Sequence, residues 1–205
     1  MTDSTGVVGS VIHSIKQTGA LELTAIITAL AYVVLATRAN KWCWIFGIIS
    51  SAIYVWFNYS LTYYYDAGLS VYYVVIGFYG WYEWARKATK EKSELRIASA
   101  GMKLNLILVV IGIIATFLLG YLAKEYTPST RPYFDASLAS FSLIATWMTT
   151  RKLIDNWIYW VIIDAGYCVL YFCSNKPSTA LLMLLYTIIA IFGFFRWKKE
   201  MRSNV

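Results

Sequence analysis

Seven apolar runs, separated by short polar stretches, constrain this chain more than any other feature. They cover roughly residues 19–37, 43–62, 66–85, 104–123, 134–150, 155–173 and 178–195. Each approaches the roughly 20 residues that an α-helix needs to cross a bilayer. None contains a Lys or Arg at mid-span. With 59% hydrophobic and only 14% charged residues, a soluble domain would need a core far larger than its surface could cover. A spanning β-barrel is excluded because the runs are continuous and do not alternate. The expected fold is an all-α integral membrane protein with seven transmembrane helices, and the lipid bilayer is its first partner.

Charge distribution orients the helices. Of the 18 Lys and Arg, most fall in the loops at 38–41, 86–103 and 151–152 and in the C-terminal tail, all on one side of a seven-span chain. The positive-inside rule then places the N-terminus outside and the C-terminus in the cytoplasm. The net charge of +7 therefore reads as topology and not as a nucleic-acid surface. The order along the chain is an extracytoplasmic segment (1–18, with a short surface helix), three helices (19–85), a cytoplasmic connector (86–103), a linker helix (104–123), three more helices (134–197) and a tail (198–205). No signal peptide is evident in the first residues.

The two groups of three helices resemble each other. Without gaps, Ala67, Leu69, Tyr73, Ile76, Gly80 and Trp84 match Ala180, Leu182, Tyr186, Ile189, Gly193 and Trp197, and the same offset pairs Thr37-Arg38 with Thr150-Arg151. Both copies end on G-x-x-x-W followed by basic residues. An odd linker helix makes the copies parallel, and transporters built this way hold substrate near the midplane between the halves. Trp84, next to a basic run, reads as an aromatic of the cytoplasmic interface.

Catalytic and metal chemistry find no support. Cys43, Cys168 and Cys173 lie in or beside apolar runs without ligand spacing, His13 stands alone, and no P-loop, G-x-S-x-G or H-E-x-x-H is present. An enzyme is not expected, nor a cofactor. The exception among the apolar runs is Asp164, in "DNWIYWVIIDAGYCVLYF" (155–172). A carboxylate near the bilayer centre costs a few kcal/mol or more unless wetted or paired, so it should face a cavity. Trp157, Trp160, Asp164, Tyr167 and Tyr171 are spaced by 3, 4, 3 and 4 and share one helix face. Indoles and phenols around one carboxylate suit a flat, polar or cationic aromatic ligand. Ser50, Asn58, Ser70 and Tyr73 on the second and third helices complete the candidate substrate site, and Ser51, Ser140, Ser142 and Thr146 are further polar positions of the inner helices. Asp155 and Asn156 fit a helix N-cap.

"FGII" (46–49), "YGWYEW" (79–84), "TTRKLIDNWIYWVIID" (149–164) and "RWKK" (196–199) resemble the PnuC family of bacterial vitamin transporters. The specific element is W-x-x-W-x-x-x-N/D on the sixth helix. The resemblance implies a three-plus-one-plus-three helix architecture related to SWEET sugar carriers, a bacterial inner-membrane location and a homotrimer. It implies facilitated diffusion of a small-molecule vitamin, held by Trp157 and Trp160 and trapped by phosphorylation in the cytoplasm. Nicotinamide riboside carriers of the family have Asn where this chain has Asp164, Gln where it has Ser70 and Asn where it has Gly77. The exchange of amides for a carboxylate points to the thiamine (PnuT-like) branch, with a nicotinamide riboside carrier as the alternative. A membrane sensor or assembly protein without transport is the reading from another class, and proton coupling through Asp164 stays open.

Overall fold

A computed structural model describes residues 19–86, 95–127, 129–174 and 176–203. The expected N-terminal surface helix and the middle of the connector lie outside them. Among the described residues are seven helices: α1 (Ala20–Thr37), α2 (Cys43–Ser60), α3 (Tyr64–Ala85), α4 (Gly101–Tyr126), α5 (Pro132–Thr150), α6 (Asn156–Cys173) and α7 (Pro177–Ser203). Four of them, α1, α4, α6 and α7, are long and apolar enough to cross a membrane. The other three are as long, but Tyr, Ser and Thr lower their hydropathy.

Two helices outrun the sequence reading. Helix α4 begins at Gly101 and continues to Tyr126, and α7 runs through the basic tail to Ser203. Lys, Arg, Glu and Met are good helix formers, so a helix does not stop where its apolar stretch does. The expected separate tail is for the most part the last two turns of α7.

Helix contacts close a ring. Each of α1–α2, α2–α3, α3–α5, α5–α6, α6–α7 and α7–α1 packs together, and α4 lies along α5. Leu106, Ile114 and Phe117 of α4 are more than 60% exposed. Such a face is stable only in an apolar surrounding.

The buried core sits at one end of the ring, the end that carries the basic loops. Its centre is four tryptophans, Trp44, Trp84, Trp157 and Trp197. Trp44 meets Trp84 edge-on at 5.4 Å and 84°, and Trp157 meets Trp197 edge-on at 5.5 Å and 89°. T-shaped pairs of this kind are favoured by the ring quadrupoles. Gly80 and Gly193 make the close approach possible. A Cβ on Gly193 would lie 2.7 Å from Trp157 Cδ2, and one on Gly80 would run into the Trp44 ring. Trp84 Nε1 donates to the Thr150 carbonyl at 3.1 Å, while Trp197 Nε1 donates to the Ala36 carbonyl at 3.0 Å. Each indole thus bonds a carbonyl at the end of a helix in the opposite half. Trp84 is 8% exposed, so it is a core residue and not an interface aromatic.

The turns after α1 and α5 are the same turn. Asn40 N–H bonds Leu35 O at 3.2 Å, and Leu153 N–H bonds Met148 O at 3.0 Å. Ala39 and Lys152 take the left-handed position at φ 49° and 51°. These are Schellman stops in which the usual glycine is replaced, at a cost of about 1–2 kcal/mol each.

Asp155 is the formal N-cap of α6, yet it does not cap it with its side chain. Its carboxylate accepts bonds from Ala100 N–H (2.6 Å), Ser99 Oγ (3.1 Å) and Asn105 Nδ2 (3.1 Å). Together with an Ala98–Leu153 bridge, it fastens the end of the connector and the start of α4 to the second half. The spacing that looked like a cap serves a tertiary contact instead.

Candidate functional site

Inside the ring is a cavity of about 340 Å³. That is near the lower end of the roughly 300–1,000 Å³ common for small-molecule sites. All six ring helices contribute to its wall and α4 does not. Helix α6 supplies Trp160, Asp164 and Tyr167. Facing them are Tyr32 of α1, Gly47, Ser50 and Ser51 of α2, Tyr73 and Gly77 of α3, Ser142 and Thr146 of α5, and Tyr186 of α7.

Asp164 is the one charged side chain on that wall and is 8% exposed. The ion pairs among the described residues, Glu83–Arg86 and Glu83–Arg151, lie at the basic end and do not reach it. Three hydroxyl groups of the wall are already committed as donors. Ser50 Oγ donates to Ala25 O (2.9 Å), Ser142 Oγ to Leu138 O (2.7 Å) and Thr146 Oγ1 to Ser142 O (2.8 Å). What these groups offer a ligand is oxygen lone pairs. A carboxylate, hydroxyl oxygens and aromatic faces together favour a ligand rich in N–H groups or carrying positive charge.

Two further spaces flank the cavity. One of about 70 Å³ lies towards the basic end, bounded by Ala36, Thr149, Trp157 and Ala190 and sharing Tyr32, Trp160, Asp164 and Tyr186 with the main chamber. The other, a vestibule of about 470 Å³ at the opposite end, is lined by Arg131, Asp135, Tyr171, Cys173 and Lys176 among others. Tyr167 on the cavity wall stacks on Tyr171 on the vestibule wall at 6.1 Å and 19°.

Five of the nine expected site residues meet on the cavity wall: Ser50, Tyr73, Trp160, Asp164 and Tyr167. Trp157 is on the small chamber, 3% exposed and packed on Gly193 and Trp197. Tyr171 is on the vestibule. Asn58 and Ser70 are not on the wall. Asn58 Nδ2 donates to Ser70 Oγ at 3.4 Å, and Ser70 Oγ donates to Asp66 O at 2.8 Å, so they tie α2 to α3. Sequence reasoning left out Tyr32, Trp44, Gly47 and Tyr186. Tyr186 had a signal, its match with Tyr73, whereas nothing in the sequence around Tyr32 marks it as inward-facing.

A ring of membrane helices around a polar, aromatic chamber, with no metal-binding cluster among the described residues, has the form of a small-molecule transporter. The comparisons agree. Residues 19–199 match the family described as nicotinamide mononucleotide transporter, and the chain belongs to that family of membrane vitamin transporters. It is not an enzyme. The nicotinamide riboside transporter PnuC of Escherichia coli K12 is 24% identical over 208 residues, covering 90% of this chain and 87% of that one. The riboflavin/roseoflavin transporter RibM of Streptomyces davaonensis is 24% identical over 183 residues, covering 87% and 84%. A crystal structure of the vitamin B3 transporter PnuC superposes with a TM-score of 0.75 at 18% identity, covering 97% of this chain and 88% of that one.

Proposed function

We propose that this transporter carries an unphosphorylated vitamin whose aromatic ring bears a fixed positive charge, and that nicotinamide riboside is the first candidate. The observation that carries the reading is Asp164, a buried carboxylate between Trp160 and Tyr167 in an aromatic chamber whose wall holds no other charged side chain. The name of the PnuC relative supports nicotinamide riboside, whereas RibM, equally similar at 24% identity, is named for riboflavin. Asp164 by itself does not discriminate between nicotinamide riboside and thiamine, because a pyridinium meets a carboxylate as well as a thiazolium does. Thiamine is kept as a second reading on one specific observation: no Asn or Gln stands on the cavity wall to pair with a carboxamide. Riboflavin has no ring cation for Asp164 to meet. Phosphorylated forms are disfavoured, because the wall holds no Lys or Arg and a phosphate would be desolvated without a counter-charge.

The chain is read as seven spans in a bacterial inner membrane, with the basic end in the cytoplasm. The matched turns, indole pairs and helix contacts support two parallel three-helix repeats joined by α4, an arrangement akin to that of SWEET carriers. Transport is downhill. The test is a titration of the purified protein with nicotinamide riboside, thiamine, riboflavin and the phosphates of the first two, read by tryptophan fluorescence and by counterflow into proteoliposomes. One of the two cations should bind and exchange. Equal binding of riboflavin or of a phosphorylated form sinks the reading.

A further inference from the structure

The two seams that join the halves at the basic end are built differently. At the α3–α5 seam, Trp84 bonds the Thr150 carbonyl, and it is reinforced. Glu83, 6% exposed, pairs with Arg151 at 3.5 Å and Arg86 at 3.3 Å, and Arg151 Nη1 donates to Tyr79 Oη at 3.2 Å. At the α7–α1 seam, Trp197 bonds the Ala36 carbonyl in the same way. The residues matched to Glu83 and Arg151 there are Arg196 and Arg38. Both are exposed and basic, and neither joins the ion pairs found among the described residues. Their repulsion is screened by solvent and small. What matters is that this seam has no ionic lock among the described residues.

The free space runs the same way. The small chamber that continues the cavity towards the basic end is bounded by α1, α5, α6 and α7, with no residue from α2 or α3. Trp197, fully buried, touches two of its boundaries: it meets Trp157 edge-on and bonds the carbonyl of Ala36. Beside the locked seam, the residue matched to Trp157 is Trp44, which lines the main cavity and not an extension of it.

We infer that the passage from the cavity to the basic face opens along the α1–α7 seam, with the indole of Trp197 as its gate, and that the α3–α5 seam stays shut as the pivot. The inference rests on the transport reading, but the identity of the vitamin does not enter it. One indole–carbonyl hydrogen bond holds the gate, beside the ring contacts of Trp197 with Trp157 and Trp84. Its loss should move the closed–open balance strongly, whereas loss of the matched bond at the pivot leaves the Glu83–Arg151 pair in place.

The experiment uses full-length protein in which Cys43, Cys168 and Cys173 are replaced by alanine. Ala190→Cys puts a thiol on the small chamber, and Lys199→Cys in a parallel sample reports which way the protein is inserted in proteoliposomes. With the basic face outward, a charged, impermeant methanethiosulfonate should modify Cys at 190 roughly tenfold faster in Trp197→Phe, and within about twofold of the parent rate in Trp84→Phe. Equal acceleration, or acceleration by Trp84→Phe alone, overturns the inference. A second test leaves both indoles intact. Cysteine pairs at 38 and 196, or at 79 and 151, are bridged with a short bifunctional maleimide. Bridging the first pair should abolish counterflow, and bridging the second should leave most of it. A block by the second pair alone, or by both equally, also overturns it. If the unbridged protein moves neither nicotinamide riboside nor thiamine, the substrate reading fails while the labelling result still decides the gate.

Discussion

At matched positions on the cavity wall, α2 carries Gly47 and Ser51 where α6 carries Trp160 and Asp164. At the basic end the same two helices are alike: Trp44 and Trp157 both lie under a glycine of the next helix, Gly80 and Gly193, and each is packed edge-on by a second indole. The halves therefore agree where they hold each other together and differ where they face the ligand. A carboxylate and an indole in both halves would crowd a chamber of about 340 Å³ and place two like charges in it. With one of each, the second half supplies the charge and the ring. The first half supplies room, and the ring of Tyr32 rests against Gly47. A ligand should lie against α6, off the axis between the halves.

The likeness of the frames is the part with the largest expected effect. Gly80→Ala and Gly193→Ala should each destabilise the protein by about 1–3 kcal/mol through overpacking against a buried indole. Thermal unfolding in detergent should show a similar loss for both, and a loss in only one would break the equivalence. Next comes the difference on the wall. Trp160→Ala should weaken vitamin binding by about 2 kcal/mol, roughly thirtyfold, by titration. Unchanged affinity would move the site away from α6. Asp164→Asn keeps the shape and removes the charge, and should cost at least about 1.4 kcal/mol, tenfold in affinity, because a charge-assisted contact is roughly twice a neutral one. If the Asn variant binds normally, Asp164 is a packing residue. The smallest effect belongs to its counterpart. Ser51→Ala should change affinity by about 0.5 kcal/mol or less, the lower end for one neutral hydrogen bond. A tenfold loss there would mean that the ligand sits on the axis after all.

Run length and loop charge made the helices legible, because a bilayer restricts both. Helix ends were less so. The polar last turns of α7 are helical for reasons of propensity, which an apolar window does not register. On α6 the 3-4 spacing placed Trp160, Asp164 and Tyr167 on one face, and the cavity contains all three. Tyr171 continues the same face, but two turns beyond Asp164 the face looks into the vestibule. Asn58 and Ser70 looked like ligand groups and satisfy each other instead. A polar residue on an inner helix can meet either a ligand or a neighbour, and composition does not say which. Trp84 shows the same limit. A tryptophan beside basic residues fits a headgroup belt, and only the packing of Gly80 against Trp44 shows that the end of α3 turns inward.

The crossed indole bonds also bear on how the chain is made. Helices α1 to α3 leave the ribosome first, yet Trp84 finds its carbonyl only when Thr150 has been synthesised, and the carbonyl of Ala36 waits for Trp197, near the end of the chain. A nascent first half therefore holds the indole N–H of Trp84 without the Thr150 carbonyl, and an unpaired donor is costly away from water. Neither half is a finished folding unit, and quality control in the membrane would see an incomplete pair of halves until Trp197 had been added.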